Sequence, residues 1–303
     1  LEQNAPDVAF QYFTWAQERN YKDATLHLAI AASENQDPEA LHLWNNVTTN
    51  DNPELQSIAR QMVAIIERQP DESWSDYDRY LYTRYSTSYS DTTRFYEFVQ
   101  TIKDPNYKAA SILNMAKKLW DRDLIKNTLK TYNLLRDVTI TDSILFENIQ
   151  YFELKMLAYQ ENIRGLAKKI NQGIEFDDGR AVEKALYTAL IADASNDTLR
   201  AKTNYEYIAK RNPFFEEAVI ASARYINRKD PFKAYDHLLS AVEVNPNSIK
   251  LLKAFIYQCA NIQQNTSGEY ALEKLKDLVS ISEYSTVQST YDELVRSRSE
   301  LDF

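Results

Sequence analysis

A chain of 303 residues with 44% hydrophobic content can bury a continuous core, and its net charge of −9, with acidic and basic residues interspersed, disfavours a phosphate-binding surface and so a nucleic-acid partner. Only four glycines occur, Gly165, Gly173, Gly179 and Gly268, so turns needing a positive φ and phosphate-cradling loops are expected to be nearly excluded, and sheet and nucleotide-binding folds with them. No apolar run reaches the roughly 18 residues of a membrane span. The single cysteine, Cys259, permits no internal disulfide, which leaves the compartment, cytoplasmic or periplasmic, open. The chain opens on Leu1 rather than Met, so a leader, an anchor or a further domain upstream stays an open expectation.

Near the N-terminus Tyr12 and Trp15 precede Ala24, Leu28 and Ala31, whose spacing of four and three lies on one helical face. Residues 38–68 read as a short helix and its successor, and 73–103 is rich in tyrosine. The stretch 105–137 sets Ala109, Ile112, Leu113 and Ala116 before Leu129 and Tyr132, and 141–176 reads as a longer helix with a loose connection. Six of the eight prolines follow Asp or Asn, at Asp37-Pro38, Asn52-Pro53, Asp104-Pro105, Asn212-Pro213, Asp230-Pro231 and Asn245-Pro246. Each pair predicts a helix start, because the Asx oxygen accepts from an orphan N–H while proline at the first position has none to lose.

The strongest pattern is internal. Ala201, Tyr205, Ile208 and Pro213 return 33 residues later as Ala234, Leu238, Ala241 and Pro246. The same residue classes at the same offsets mean that each unit meets the same neighbours, the logic of stacked helical hairpins. Ahead of these stand Ala185, Thr188, Ala189 and Ala192 in one unit and Ala218, Ala221, Ser222 and Tyr225 in the next, with small residues where two helices cross closely. After Pro246, Asn261 to Gly268 is expected to lengthen a turn before Ala271, Leu275 and Leu278, and 287–303 reads as a polar capping helix or a frayed end. No linker-like segment interrupts the pattern, so one all-α solenoid is expected over 1–303, with degenerate repeats in 5–176 and the clearest in 182–283.

The spacing resembles the tetratricopeptide repeat, specifically over about 182–262 and more loosely elsewhere: Ser222 as the small residue of a first helix, Tyr225 as its aromatic, then Ala234, Leu238, Ala241 and the closing Pro246. The resemblance implies a right-handed α-α superhelix of about eight hairpins whose first helices line a groove for an extended or helical partner segment. Carried onto this chain, the groove positions are Leu186, Leu190 and Asp193, then Glu216, Val219, Ala223 and Ile226, then Lys250, Lys253, Tyr257 and Ala260. The apolar members suit an amphipathic partner, and Lys250 and Lys253 suit its acidic flank. Chaperone-binding members of the family hold a carboxylate with lysine and asparagine where Val219 and Ala223 stand here, so that function is not implied. In 105–137 Asn114 and Lys117 occupy groove positions, but Ala110 stands at the third.

Signs of chemistry are sparse. His27, His42 and His237 form no metal spacing, and His27 and His237 adjoin core leucines, which favours a structural role. Cys259 has no basic neighbours and reads as inert, and Asp177 and Asp178 read as helix caps. No metal or cofactor is expected. Between Trp74 and Phe98 the stripe of Trp74, Tyr77, Leu81 and Tyr85 reads as core, leaving Tyr80, Tyr82 and Tyr89 as a candidate aromatic surface. The expected function is a non-catalytic scaffold for a protein or peptide partner, within a larger assembly. The alternatives are a glycan- or small-ligand-binding protein using the tyrosines, and an α/α-toroid glycosidase, for which no carboxylate pair is marked.

Overall fold

The computed structural model describes residues 6–19, 21, 24–67, 70, 72–87 and 92–299; Tyr89 and Asp91 lie outside them. Among the described residues the regular structure is seventeen α-helices and two 3-10 turns, with no strand. In order these are α1 (Pro6–Glu18), α2 (Ala24–Asn35), α3 (Ala40–Val47), α4 (Pro53–Glu67), α5 (Asp76–Tyr85), α6 (Thr92–Val99), α7 (Pro105–Trp120), α8 (Ile125–Tyr132), α9 (Ser143–Tyr159), α10 (Ile163–Asn171), α11 (Ala181–Ala194), α12 (Thr198–Arg211), α13 (Glu216–Asn227), α14 (Pro231–Val244), α15 (Ile249–Asn261), α16 (Asn265–Lys276) and α17 (Ile281–Ser299). They form two compact units, Leu1–Tyr151 and Phe152–Phe303. In the first, α1 to α4 each pack on the next, and α5 meets α2, α6 and α7. In the second, α10 to α16 each pack on the next, and α17 lies on α15 and α16. No helix among the described residues is long and apolar enough to cross a membrane.

Backbone chemistry in the turns makes this succession. At Gln36, Asp123, Glu161, Asn196 and Gln263 φ lies between 54 and 58°. The next residue donates its N–H to a carbonyl of the helix just ended: Asp37 to Ala32, Leu124 to Leu119, Asn162 to Leu157, Asp197 to Ala192 and Gln264 to Cys259, all at 2.8–2.9 Å. This left-handed closure satisfies orphan carbonyls and turns the chain within a few residues. Asn162 and Asp197 then cap the following helix through their side chains, accepting from Gly165 and Arg200 N–H. The glycine count therefore misleads. A left-handed residue other than glycine costs about 1–2 kcal/mol, and the bonds it permits offset that.

Three of the Asx-Pro pairs act as expected. Asn52, Asp104 and Asp230 accept from the N–H groups of Glu54, Asn106 and Lys233, with the proline as first helical residue. In the other three the proline sits in the preceding turn, and α15 is capped by Ser248, which accepts from Leu251 N–H at 3.1 Å.

The repeat residues are the core. Ala201, Tyr205 and Ile208 on α12 and Ala234, Leu238 and Ala241 on α14 are all at most 7% exposed. Gly268 extends the series rather than lengthening a turn: α15 ends at Asn261, α16 begins at Asn265, and Gly268 is buried under the Tyr291 ring of α17. Of the terminal segment, the described part to Ser299 belongs to α17, which begins at Ile281 and buries Val287 and Tyr291 in the core with Cys259 and Leu275.

Candidate functional site

In the second unit α13 and α15 stand side by side over α14, since the short turns bring alternate helices into reach. Between them is a groove of about 320 Å³. Ile220, Ala223 and Ala254 supply apolar wall, Leu238 of α14 underlies them, and Tyr257 and the exposed Arg224 stand at the edges. Amides tie the groove together. Gln258, 8% exposed, donates to Asn227 Oδ1 at 2.9 Å and to the Pro231 carbonyl at 2.7 Å. Asn261 donates to Asn227 at 3.3 Å and accepts from Arg298 of α17. A chain of bonds thus spans α13, α15 and α17, and a satisfied network of this kind fixes the spacing of the walls.

The structure divides the sequence-derived groove positions. Ala223 and Tyr257 line this groove together. Val219 and Ile226 line another depression, between α12 and α14. A residue advances about 100° around a helix, so Val219 and Ile226 sit one step round α13 from Ile220 and Asn227, with Ala223 between the two pairs. Val219 and Ala223 are also 2% and 4% exposed, walls more than contact points. Leu186 is half-buried against the α11–α13 core, and Leu190 is half-buried beside it. Asp193 accepts from the Tyr225 hydroxyl, which burial and this bond push up to about 12.

Lys250 is exposed and donates to Glu217, and Lys253 donates to Glu283 of α17. Partial burial works to raise the Glu217 carboxyl, but the Lys250 bond outweighs it and holds the group below its ordinary value. Exposed pairs of this kind contribute little and exchange partners readily.

In the first unit the tyrosine phase differs from the sequence reading. Helix α5 begins at Asp76, where Ser75 and Asp78 form a capping box, and it buries Leu81, Tyr82 and Thr83. Tyr82 is therefore core, 8% exposed and edge-on to Trp74 and Phe98 at 5.6 and 5.1 Å, and not surface. Tyr77, assigned to the core stripe, is 43% exposed. It meets Tyr80 and Tyr107 of α7 in a three-ring cluster with centroids 5.6–6.2 Å apart. Tyr80 is half-buried, and its hydroxyl accepts from Arg84 at 3.0 Å. Arg84 in turn pairs with Glu34 of α2, and Lys118 of α7 donates to the Arg84 carbonyl. Burial pulls Lys118 down to about 8 against the attraction of Glu34. Tyr107 carries no signal in the local sequence, since it joins the cluster only through the α5–α7 contact.

Cys259 is buried and its thiol is pushed up to about 12, an unreactive state. Asp177 accepts from Arg180 N–H at 2.9 Å, consistent with a cap. Among the described residues no group of three or more His, Cys, Asp or Glu side chains is placed to hold a metal ion. Neither a protein-family model nor a curated protein matches this chain.

Proposed function

We propose that this chain is a non-catalytic interaction scaffold of tetratricopeptide-like hairpins, eight in a superhelix with α17 as cap, which holds a protein or peptide segment in the groove between α13 and α15. The observation that carries the reading is the groove itself. Its apolar wall of Ile220, Ala223 and Ala254 is bordered by Tyr257 and held open by the Asn227–Gln258–Asn261 bonds, so a partner meets a preformed surface. Its lining includes no Asp or Glu, so the paired carboxylates of a glycosidase have no place there. The partner segment offers apolar side chains to the wall and an acidic group to Arg224, Lys250 or Lys253. Selection of short peptides from a random display library tests this. Selected peptides should lose roughly tenfold in affinity, about 1.4 kcal/mol, on Ile220→Glu or Tyr257→Glu and nothing on Glu substitution of Tyr270, which is exposed on α16. Equal binding by all three variants refutes the assignment.

A second reading, a ligand-binding protein using aromatic side chains, is favoured by the exposed Tyr77 and Tyr107 beside Tyr80 and Arg84. Quenching of tyrosine emission by an oligosaccharide series, lost on Tyr77→Ala, is its test.

A further inference from the structure

The depression between α12 and α14 is separate from the partner groove and has a different chemistry. It encloses about 460 Å³, within the range of small-molecule sites. Its walls are Ala209 of α12, Val219 and Ile226 of α13, and Ala241 and Val244 of α14. Five polar side chains stand among them: Glu206 and Lys210 of α12, Ser222 of α13, and His237 and Ser240 of α14; Lys210 and Ser240 are exposed, and Ser240 donates to the Asp236 carbonyl at 2.9 Å. Ser222 is 0% exposed, and neither its Oγ nor His237 Nε2 has a hydrogen-bond partner among the described residues. Groups so buried are ordinarily paired, and each orphan asks what completes it.

The unpaired atoms specify what fits. The His237 ring bonds the Val219 backbone, one turn before Ser222 on the same helix. Because Nε2 is unpaired, that bond uses Nδ1 as donor, and burial keeps the ring neutral by holding its pKa below the ordinary value. Nε2 therefore presents a lone pair, and Ser222 presents a hydroxyl that gives or accepts. At these two atoms a carboxylate finds one donor and a repelling lone pair, and the lining cation, Lys210, is exposed to water, which weakens its pull on an anion. An ammonium finds apolar walls, with the lining carboxylate, Glu206, already paired with Lys202 at 3.4 Å. A hydroxyl group satisfies both atoms, accepting from Ser222 and donating to His237. Both atoms are shielded from solvent, so binding requires the lining side chains to move aside.

We propose that the pocket between α12, α13 and α14 binds a small neutral molecule with an apolar body and one hydroxyl group, which pairs with Ser222 Oγ and His237 Nε2. The site does not depend on the partner groove and stands or falls separately from it.

The test uses the full chain with ¹⁵N-labelled histidine, in which only His27, His42 and His237 give signals. The probes are p-cresol and 3-methyl-1-butanol, each with its methyl ether as a control that accepts but cannot donate. At least one alcohol should shift the His237 Nε2 resonance saturably while His27 and His42 stay still. Its ether should bind at least tenfold more weakly, and Ser222→Ala should weaken the alcohol at least threefold with the helical circular dichroism unchanged. Should Ser222→Ala fail to fold, His237→Gln, which retains a polar group, takes its place with the same expectation, its binding read by isothermal titration calorimetry. The proposal is overturned if neither alcohol shifts His237, if alcohol and ether bind alike, or if a bound water between Ser222 and His237 persists at saturating alcohol.

Discussion

Replacing Gly268 by alanine sets two effects of known size against each other. Gly268 lies inside α16, where alanine is favoured by about 1 kcal/mol on helix propensity. A Cβ there, however, would stand 2.6 Å from both Tyr291 Cε2 and its hydroxyl oxygen and 2.9 Å from Cζ. Tyr291 is 4% exposed within the core that joins α15, α16 and α17, and its hydroxyl donates to the Asn265 carbonyl at 3.2 Å. The ring must move, at an overpacking cost of about 1–3 kcal/mol, and its hydrogen bond, worth about 1 kcal/mol, goes with it. The net expectation is destabilisation of about 1–3 kcal/mol, read from urea unfolding followed by far-UV circular dichroism. In a Tyr291→Ala background the clash is gone, and the same substitution should become stabilising by about 1 kcal/mol. If Gly268→Ala stabilises the unaltered chain, α17 does not dock on α16 through Tyr291 and the reasoning fails.

Other outcomes follow from the same structure. Gln263→Gly, at a φ of 58°, should raise stability by about 1 kcal/mol by removing left-handed strain, and a loss in thermal midpoint would contradict the turn geometry. Cys259 should stay unlabelled by a disulfide exchange reagent at pH 8 until the chain is unfolded, because its thiol is buried and pushed up to about 12; rapid native labelling would place it elsewhere. His237 is held below its ordinary pKa by burial, so the unfolded chain takes up its proton first as pH falls. Its contribution is present above about pH 6.5 and is lost as pH drops through the folded value. His237→Gln should flatten the decline in thermal midpoint between pH 7.5 and 5.5, and an unaltered slope would show the ring to be solvated.

What the sequence made legible was what neighbouring residues decide. The 33-residue return of Ala201, Tyr205 and Ile208 as Ala234, Leu238 and Ala241 marks buried helix faces, and Asp104 and Asp230 announce helix starts through local bonding. Two errors have local causes as well. Glycine scarcity suggested that left-handed turns were excluded, whereas Asn196 and Gln263 adopt them because the carbonyl bonds outweigh a modest strain. The tyrosine stripe was phased from Trp74, two residues before α5 begins, which exchanged the places of Tyr77 and Tyr82.

The groove was legible only as a set of candidates. Which of Val219, Ala223 and Ile226 face it depends on the rotation of α13 against α15, fixed by Asn227, Gln258 and Asn261, residues about a repeat apart. The unpaired atoms of Ser222 and His237 were hidden for the same reason: a serine at a helix crossing and a histidine beside a core leucine look structural until the neighbouring helix is in place.

A partner segment bound as proposed lies between α13 and α15. Methyl-labelled protein titrated with a display-selected peptide addresses this directly. The signals of Ile220, Ala223, Leu238 and Ala254, which line the groove, should shift saturably, while those of Ala109 and Ile112 in the core of the first unit should not move. Saturable shifts confined to residues outside the groove, with these four unmoved, would contradict the account.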